Sequence, residues 1–154
     1  RGDSDGALHP RQPAGAGMNI SLVPLHLVDG IWPSVKDGFQ KASDRFGGDL
    51  TVGELWQGCR AGHVYLFVVH DDQKVVAATA WKPELWRSGG KFRCLALYGV
   101  QMDQWMPELH EKVRQTAIQC GCETLLAEGR EGWKKIFKAA RVLRVVYEEP
   151  INGR

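Results

Sequence analysis

Apolar and polar positions divide the first third of the chain into one strand and two helices. Residues 20–28 alternate in the manner of a strand, and Pro24 places that strand at a sheet edge or a bulge. In residues 31–46 apolar side chains recur at steps of three and four, which predicts an amphipathic helix ended by Gly47 and Gly48. Thr51 with Glu54 three residues later predicts a capping box that opens a second, short helix.

The rest of the chain predicts five strands and two helices. Two β-branched and aromatic runs are joined by a hairpin at residues 71–73, and a polar turn leads to a further strand. The longest helix follows, with Asp103 as its cap, Pro107 in or near the first turn and Gly121 after its end. The predicted segments are strands at 63–70, 74–82, 92–99, 123–129 and 142–149, a turn at 83–90, and helices at 103–121 and 131–141. The order β-α-α-β-β-β-α-β-α-β predicts an α+β fold with a mixed sheet.

Composition indicates one domain. The chain has 154 residues, 44% of them hydrophobic, enough for a single sizeable core, which we assign to residues 18–151. Residues 1–17 are rich in Gly, Ala and Pro and lack a hydrophobic period, so we expect a disordered leader or an expression remnant, with residues 152–154 as a tail. No apolar run has the length of a membrane span and no signal peptide is visible, which predicts a cytoplasmic protein without a membrane partner.

The net charge argues against nucleic acid as a ligand, and the cysteine spacing argues against a metal ion. The formal net charge of +2 is far from that of a dedicated nucleic-acid binder, although Lys134, Lys138 and Arg141 fall on one face of the predicted last helix. Cys120 and Cys122 lack a second ligand pair at short spacing, so we expect no metal.

The element order resembles the fold of the GNAT family of N-acetyltransferases over nearly all of residues 18–151. The segment Gly129, Arg130, Glu131, Gly132 and Trp133 is similar to one in short acetyltransferase-like proteins of phages and prophages, where it opens the last helix. The resemblance implies that the fourth and fifth strands splay apart, that the pantetheine arm of acetyl-CoA lies between them, and that the loop after the fourth strand holds the pyrophosphate. It also implies a location in the host cytoplasm or the virion.

That loop departs from the family pattern, which has Arg or Gln, two variable residues, Gly, any residue, then Gly or Ala. With Gln101 in the first position, Gln104 and Met106 stand where the glycines belong, and Asp103 and Glu108 bring negative charge to a phosphate site. We therefore predict a degenerate coenzyme site. The candidate cofactor-binding residues are Gln101, Met102, Asp103, Gln104, Trp105 and Arg130.

Two residues are candidates for catalysis. Glu128, after the fifth strand, is the best-placed base, and Tyr98, at the end of the fourth, is a candidate acid for the leaving thiolate. A solvated carboxylate and a packing tyrosine are the alternatives. Arg130 suits capture of a phosphate, or else caps a carbonyl or pairs with Glu128.

These features favour a phage-type GNAT-fold protein that acts by binding or assembly, with acetyl-CoA as the candidate cofactor. An active N-acetyltransferase with an atypical loop is the alternative, and a nucleic-acid-associated protein is a weaker one. Trp81 and Trp86 bracket a Pro-containing loop that suits self-association or a protein partner, unless both rings pin the loop to the core.

Overall fold

A five-stranded mixed sheet forms the centre of the computed structural model, which describes residues 17–129 and 132–152. Strands one to four are antiparallel neighbours in chain order, and the fifth lies parallel to the fourth. The strands are β1 (Asn19–Leu22), β2 (Tyr65–His70), β3 (Val75–Trp86), β4 (Gly89–Gly99) and β5 (Thr124–Leu126). The helices are α1 (Val28–Phe46), α2 (Val52–Ala61), α3 (Met102–Gln119) and α4 (Trp133–Ile136). The predicted α+β architecture is confirmed.

Two apolar cores cover the two faces of the sheet. On β2, Leu66 and Val68 pack with α1 and α2, whereas Phe67 and Val69 pack with α3. This is the alternation expected of a strand buried on both sides. The predicted capping box is present, because the Thr51 hydroxyl accepts from Glu54 N–H and the Glu54 carboxylate accepts from Thr51 N–H. No helix in the described part of the chain is long and apolar enough to cross a membrane.

Two predicted boundaries, one near Pro24 and one near Pro83, differ from those in the structure. The first strand ends at Leu22, and Pro24 precedes a 3₁₀ turn at Leu25–Leu27 that leads into α1. The predicted turn at 83–90 is mostly strand, because β3 continues to Trp86 and only Arg87 and Ser88 separate it from β4. Beyond Trp81, β3 pairs with β4 alone, and an edge segment of this kind tolerates Pro83.

The C-terminal elements are shorter than predicted. The last helix ends at Ile136, so the basic residues expected on one helical face do not share one. The predicted strand at 142–149 is wrong for the described chain, where residues 140–150 are in neither helix nor strand. Its β-branched residues lie exposed, and no described strand pairs with them. Arg130 and Glu131 lie outside the described residues.

Candidate functional site

The edge of β4 is open beyond its first residues. Lys91–Arg93 pair with Thr124–Leu126, after which β5 ends while β4 continues to Gly99. Within this stretch Leu95 forms a β-bulge, because Ala80 faces Ala96 whereas the next residue, Trp81, faces Cys94. A bulge bends its strand and interrupts the ladder. Pairing between β4 and β5 therefore stops after three residues, in the region where the resemblance implies that the two strands separate.

Aromatic side chains fill the space on the α3 face of this region. Trp133 and Phe137 stack with ring centroids 5.1 Å apart, and Phe137 meets the edge of Trp81 at 6.4 Å. His110 lies 4.8 Å from Phe137, centroid to centroid. The cavity left among these rings and Leu97 is about 10 Å³, which holds one water at most. The side chains therefore leave almost no free volume in this space.

The position of Trp81 is fixed by hydrogen bonds to the sheet. Its Nε1–H donates to Thr79 Oγ1 at 2.9 Å, and the Thr79 hydroxyl donates to the Ala96 carbonyl at 2.7 Å. The Trp81 side chain is therefore satisfied although the residue is only 3% exposed. Of the two tryptophans proposed to border an exposed loop, Trp81 is thus a core residue, and Trp86 is half-buried at the end of β3.

The junction between β4 and α3 is short. Only Val100 and Gln101 separate the two elements, and Gln101 has a left-handed backbone with φ of 57°. The Trp105 indole N–H donates to the Val100 carbonyl at 2.8 Å, and the Gln104 N–H donates to the Gln101 carbonyl at 3.0 Å. These two bonds hold the junction against the first turn of the helix.

The candidate coenzyme residues therefore lie mostly in a helix rather than in a loop. Met102, Asp103, Gln104 and Trp105 belong to α3, and Trp105 is 1% exposed in the core. Asp103 was expected to cap this helix, but the N-cap residue is Gln101 and no side-chain cap bond forms. Asp103 instead places a carboxylate in the first turn, where it complements the helix dipole and disfavours a bound anion.

Glu128 lies in an ion-pair cluster centred on Arg93. The Arg93 guanidinium donates to Glu128 at 2.8 Å and lies 3.4 Å from both Glu84 and Asp49. Burial acts to lower the pKa of Arg93, but these carboxylates more than offset it and the pKa is raised. The cluster borders an open groove of about 260 Å³ between α2 and the sheet. It joins the α1–α2 connection, β3, β4 and the segment after β5.

Sequence reasoning missed Arg93. The available signal was a guanidinium in an otherwise largely apolar strand, since a charged group needs a partner when its neighbours are buried.

Tyr98 lies in a different environment from Glu128. Its ring packs edge-on against Phe39 of α1 at 5.2 Å, and burial raises its pKa to about 12. No group of three or more His, Cys, Asp or Glu side chains suited to a metal is found among the described residues.

The sequence matches no protein-family model and no curated protein. Solved structures are similar in fold. An aminoglycoside acetyltransferase from an uncultured soil metagenomic sample, in complex with trehalose, has a TM-score of 0.66 at 10% identity over 87% of this chain and 96% of that one. A predicted acetyltransferase from Clostridium acetobutylicum, solved with acetyl-CoA, has a TM-score of 0.64 at 9% identity over 89% and 98% of the two chains. A GNAT family acetyltransferase from Staphylococcus aureus has a TM-score of 0.58 at 8% identity over 87% and 98%.

These likenesses cover 87–89% of this chain and 96–98% of the solved chains. At such low identity they carry the fold and not the activity. The chain therefore has the fold of the GNAT acetyltransferases.

Proposed function

We propose that this protein is a GNAT-fold binding or assembly protein of phage or prophage type, and that its acetyl-CoA site is degenerate. The observation that carries the proposal is the aromatic filling beside the open edge of β4. The resemblance to acetyltransferases implies a pantetheine arm between the fourth and fifth strands, and Trp133 and Phe137 stack in the space next to these strands. Binding of the arm would require both rings to move.

The β4–α3 junction supports the same proposal. A diphosphate needs a loop whose backbone N–H groups converge without side chains in the way. Here two residues connect the strand to the helix, and the Val100 carbonyl is bonded to the buried Trp105 indole. The Asp103 carboxylate in the first turn opposes a second negative charge at the helix N-terminus.

Titration calorimetry with acetyl-CoA tests this proposal. We expect no binding heat for the unaltered protein at about millimolar ligand, a free energy weaker than about −4 kcal/mol. The matched variant is Trp133→Ala, which removes one ring of the stack and leaves the β4–α3 junction unchanged. Weak binding by this variant alone would mean that the aromatic filling closes the cleft. A micromolar constant for the unaltered protein would overturn the proposal.

An active N-acetyltransferase is the second candidate, and the open, bulged edge of β4 favours it. In that reading Glu128 or a water is the base for an amine, and Tyr98 is the acid for the thiolate. Glu128 accepts a hydrogen bond from Arg93, and the Tyr98 ring packs against Phe39 of α1. In an active enzyme both residues would therefore combine a catalytic role with a structural contact. Release of free thiol from acetyl-CoA with any member of a broad amine panel, and its loss in Glu128→Gln, would establish this reading.

The proposed partner contact rests on Trp86. The ring has Lys91 Nζ at 5.2 Å and the Arg144 guanidinium at 4.9 Å from its centroid. Its neighbour Leu85 is 90% exposed, so this end of the β3–β4 hairpin presents apolar surface. Trp86→Ala is expected to weaken a protein contact made there. A pull-down with the unaltered and substituted chains under identical conditions measures this effect.

A further inference from the structure

The segment Arg141–Glu149 contains the predicted strand 142–149, and no strand in the described part of the chain pairs with it. None of its residues lies in a helix or strand of the described chain. Val145, Val146 and Tyr147 are 63, 74 and 89% exposed. A short run rich in β-branched residues with free backbone groups is a template for pairing with another chain.

Side chains of this segment alternate in character. In an extended conformation Leu143, Val145 and Tyr147 would share one side, because side chains alternate along a strand. Arg144 faces the body of the protein, where its guanidinium lies 4.9 Å from the Trp86 ring and 3.9 Å from a Glu128 carboxylate oxygen. Arg144, near the middle of the segment, thus attaches it to the domain, while the apolar residues of the segment remain exposed to solvent.

We propose that two copies of the protein associate by antiparallel pairing of this segment about a two-fold axis at Val145. The inference deepens the proposed assembly function and rests on it. Pairing in this register places Leu143 opposite Tyr147 of the second copy and Val145 opposite its own equivalent. Aliphatic–aromatic pairs across strands stabilise a sheet. Arg144 falls opposite Val146, so it keeps its contacts with Trp86 and Glu128.

Charge complementarity selects a second copy as the occupant. The same register sets Arg141 of one chain against Glu149 of the other, and the two-fold axis repeats this pair at the opposite end. The segment is therefore complementary to itself in both apolar and charged positions, which is the requirement of an isologous interface. Both side chains of the pair are exposed in the single chain and accessible to a partner.

Sedimentation velocity on the full chain, with charge reversals, tests the register. We expect a weak dimer, with a dissociation constant on the order of micromolar, as befits a small interface. Arg141→Glu and Glu149→Arg each replace two attractions by two repulsions and are expected to weaken dimerisation about tenfold. The double substitution restores opposite charges and is expected to restore the dimer.

The matched control is Glu148→Arg. Its residue is adjacent to Glu149 and equally acidic, but in this register it lies opposite Val142, so dimerisation is expected to stay unchanged. A strictly monomeric protein, an equal effect of Glu148→Arg and Glu149→Arg, or no recovery in the double variant would overturn the proposal. Because none of these readouts involves acetyl-CoA, failure here is distinguishable from failure of the degenerate-site proposal, which calorimetry decides.

Discussion

Gly38 shows how closely α1 approaches β4. A Cβ at this position would collide with the ring of Tyr98, whereas a Cβ at Gly30 of the same helix meets nothing within 4 Å. Tyr98 cannot yield easily because its ring packs against Phe39 and is largely buried. Contact with Tyr98 therefore requires glycine at residue 38, while nothing in the structure requires it at residue 30.

We expect Gly38→Ala to destabilise the protein by about 1–3 kcal/mol, because the added methyl overpacks the interface between helix and strand. Gly30→Ala is the control and is expected to stabilise by about 0.5–1 kcal/mol through helix propensity alone. Urea unfolding followed by far-UV circular dichroism measures both. Equal effects of the two substitutions would mean that α1 does not lie this close to Tyr98.

Arg93 is the residue on which three carboxylates converge. Its side chain is 23% exposed, less than half the exposure of Arg114, which is 51% exposed and pairs with Glu111 on the surface of α3. We expect Arg93→Met to cost about 1–3 kcal/mol, because Glu128, Glu84 and Asp49 lose their counter-charge in a half-buried site. Arg114→Met is the control and is expected to cost less than about 1 kcal/mol.

Unfolding free energies at low and high salt separate the two positions further. The Arg114 pair is solvent-exposed and should lose its contribution as salt rises, whereas the cluster at Arg93 should be screened less. If the two substitutions have the same cost at low salt, the cluster around Arg93 does not tie the sheet to its connections.

At the scale of elements, sequence patterns correctly predicted the structural features that depend on residues close together in the chain. The Thr51–Glu54 capping box, the hairpin at residues 71–73 and the long helix α3 all follow from side chains close together in sequence. The fold class followed from their order. The resemblance implied that β4 and β5 separate, but it did not give the position of the bulge at Leu95. That position depends on the register of β4 against β3, which no local sequence signal fixed.

The remaining elements depend on contacts that no local pattern contains. The sequence of residues 142–149 predicts a strand because its residue types alternate and favour extended backbone. Such a pattern does not show whether a sheet edge is available for pairing. Likewise, the missing glycines indicated an altered phosphate loop, but nothing in the sequence indicated that Trp133 and Phe137 would occupy the neighbouring space. Arg93 needed three partners brought together from separate parts of the chain.

At the scale of the whole molecule, a buried histidine, His70, and a half-buried one, His110, couple stability to pH. His70 of β2 is 6% exposed, and its Nε2 lies 3.0 Å from Ser21 Oγ of β1. Burial lowers its pKa below 6.5, although the carbonyl of Asp71 and the charges of Asp71 and Asp72 act to raise it. Burial also lowers the pKa of His110, with Arg114 acting in the same direction and Glu111 against it.

The direction of the pH effect follows from proton uptake. Unfolded chains protonate histidine near pH 6.5, whereas the folded protein does so at lower pH, so between these values the unfolded state binds more protons. Stability contributed by the neutral rings is therefore complete above pH 6.5, falls as the pH drops below it, and levels off below the folded pKa values. Unfolding free energies measured by urea denaturation from about pH 7.5 to about pH 5 should show this decline.

His70→Gln removes the titration of this residue while keeping a polar side chain beside Ser21, so it should flatten the dependence of unfolding free energy on pH. His110→Gln should do the same. If the variant with both substitutions shows the same slope of unfolding free energy against pH, burial does not keep either histidine neutral. In that case β1 packs less tightly on β2, and α3 less tightly on Phe137, than in this structure.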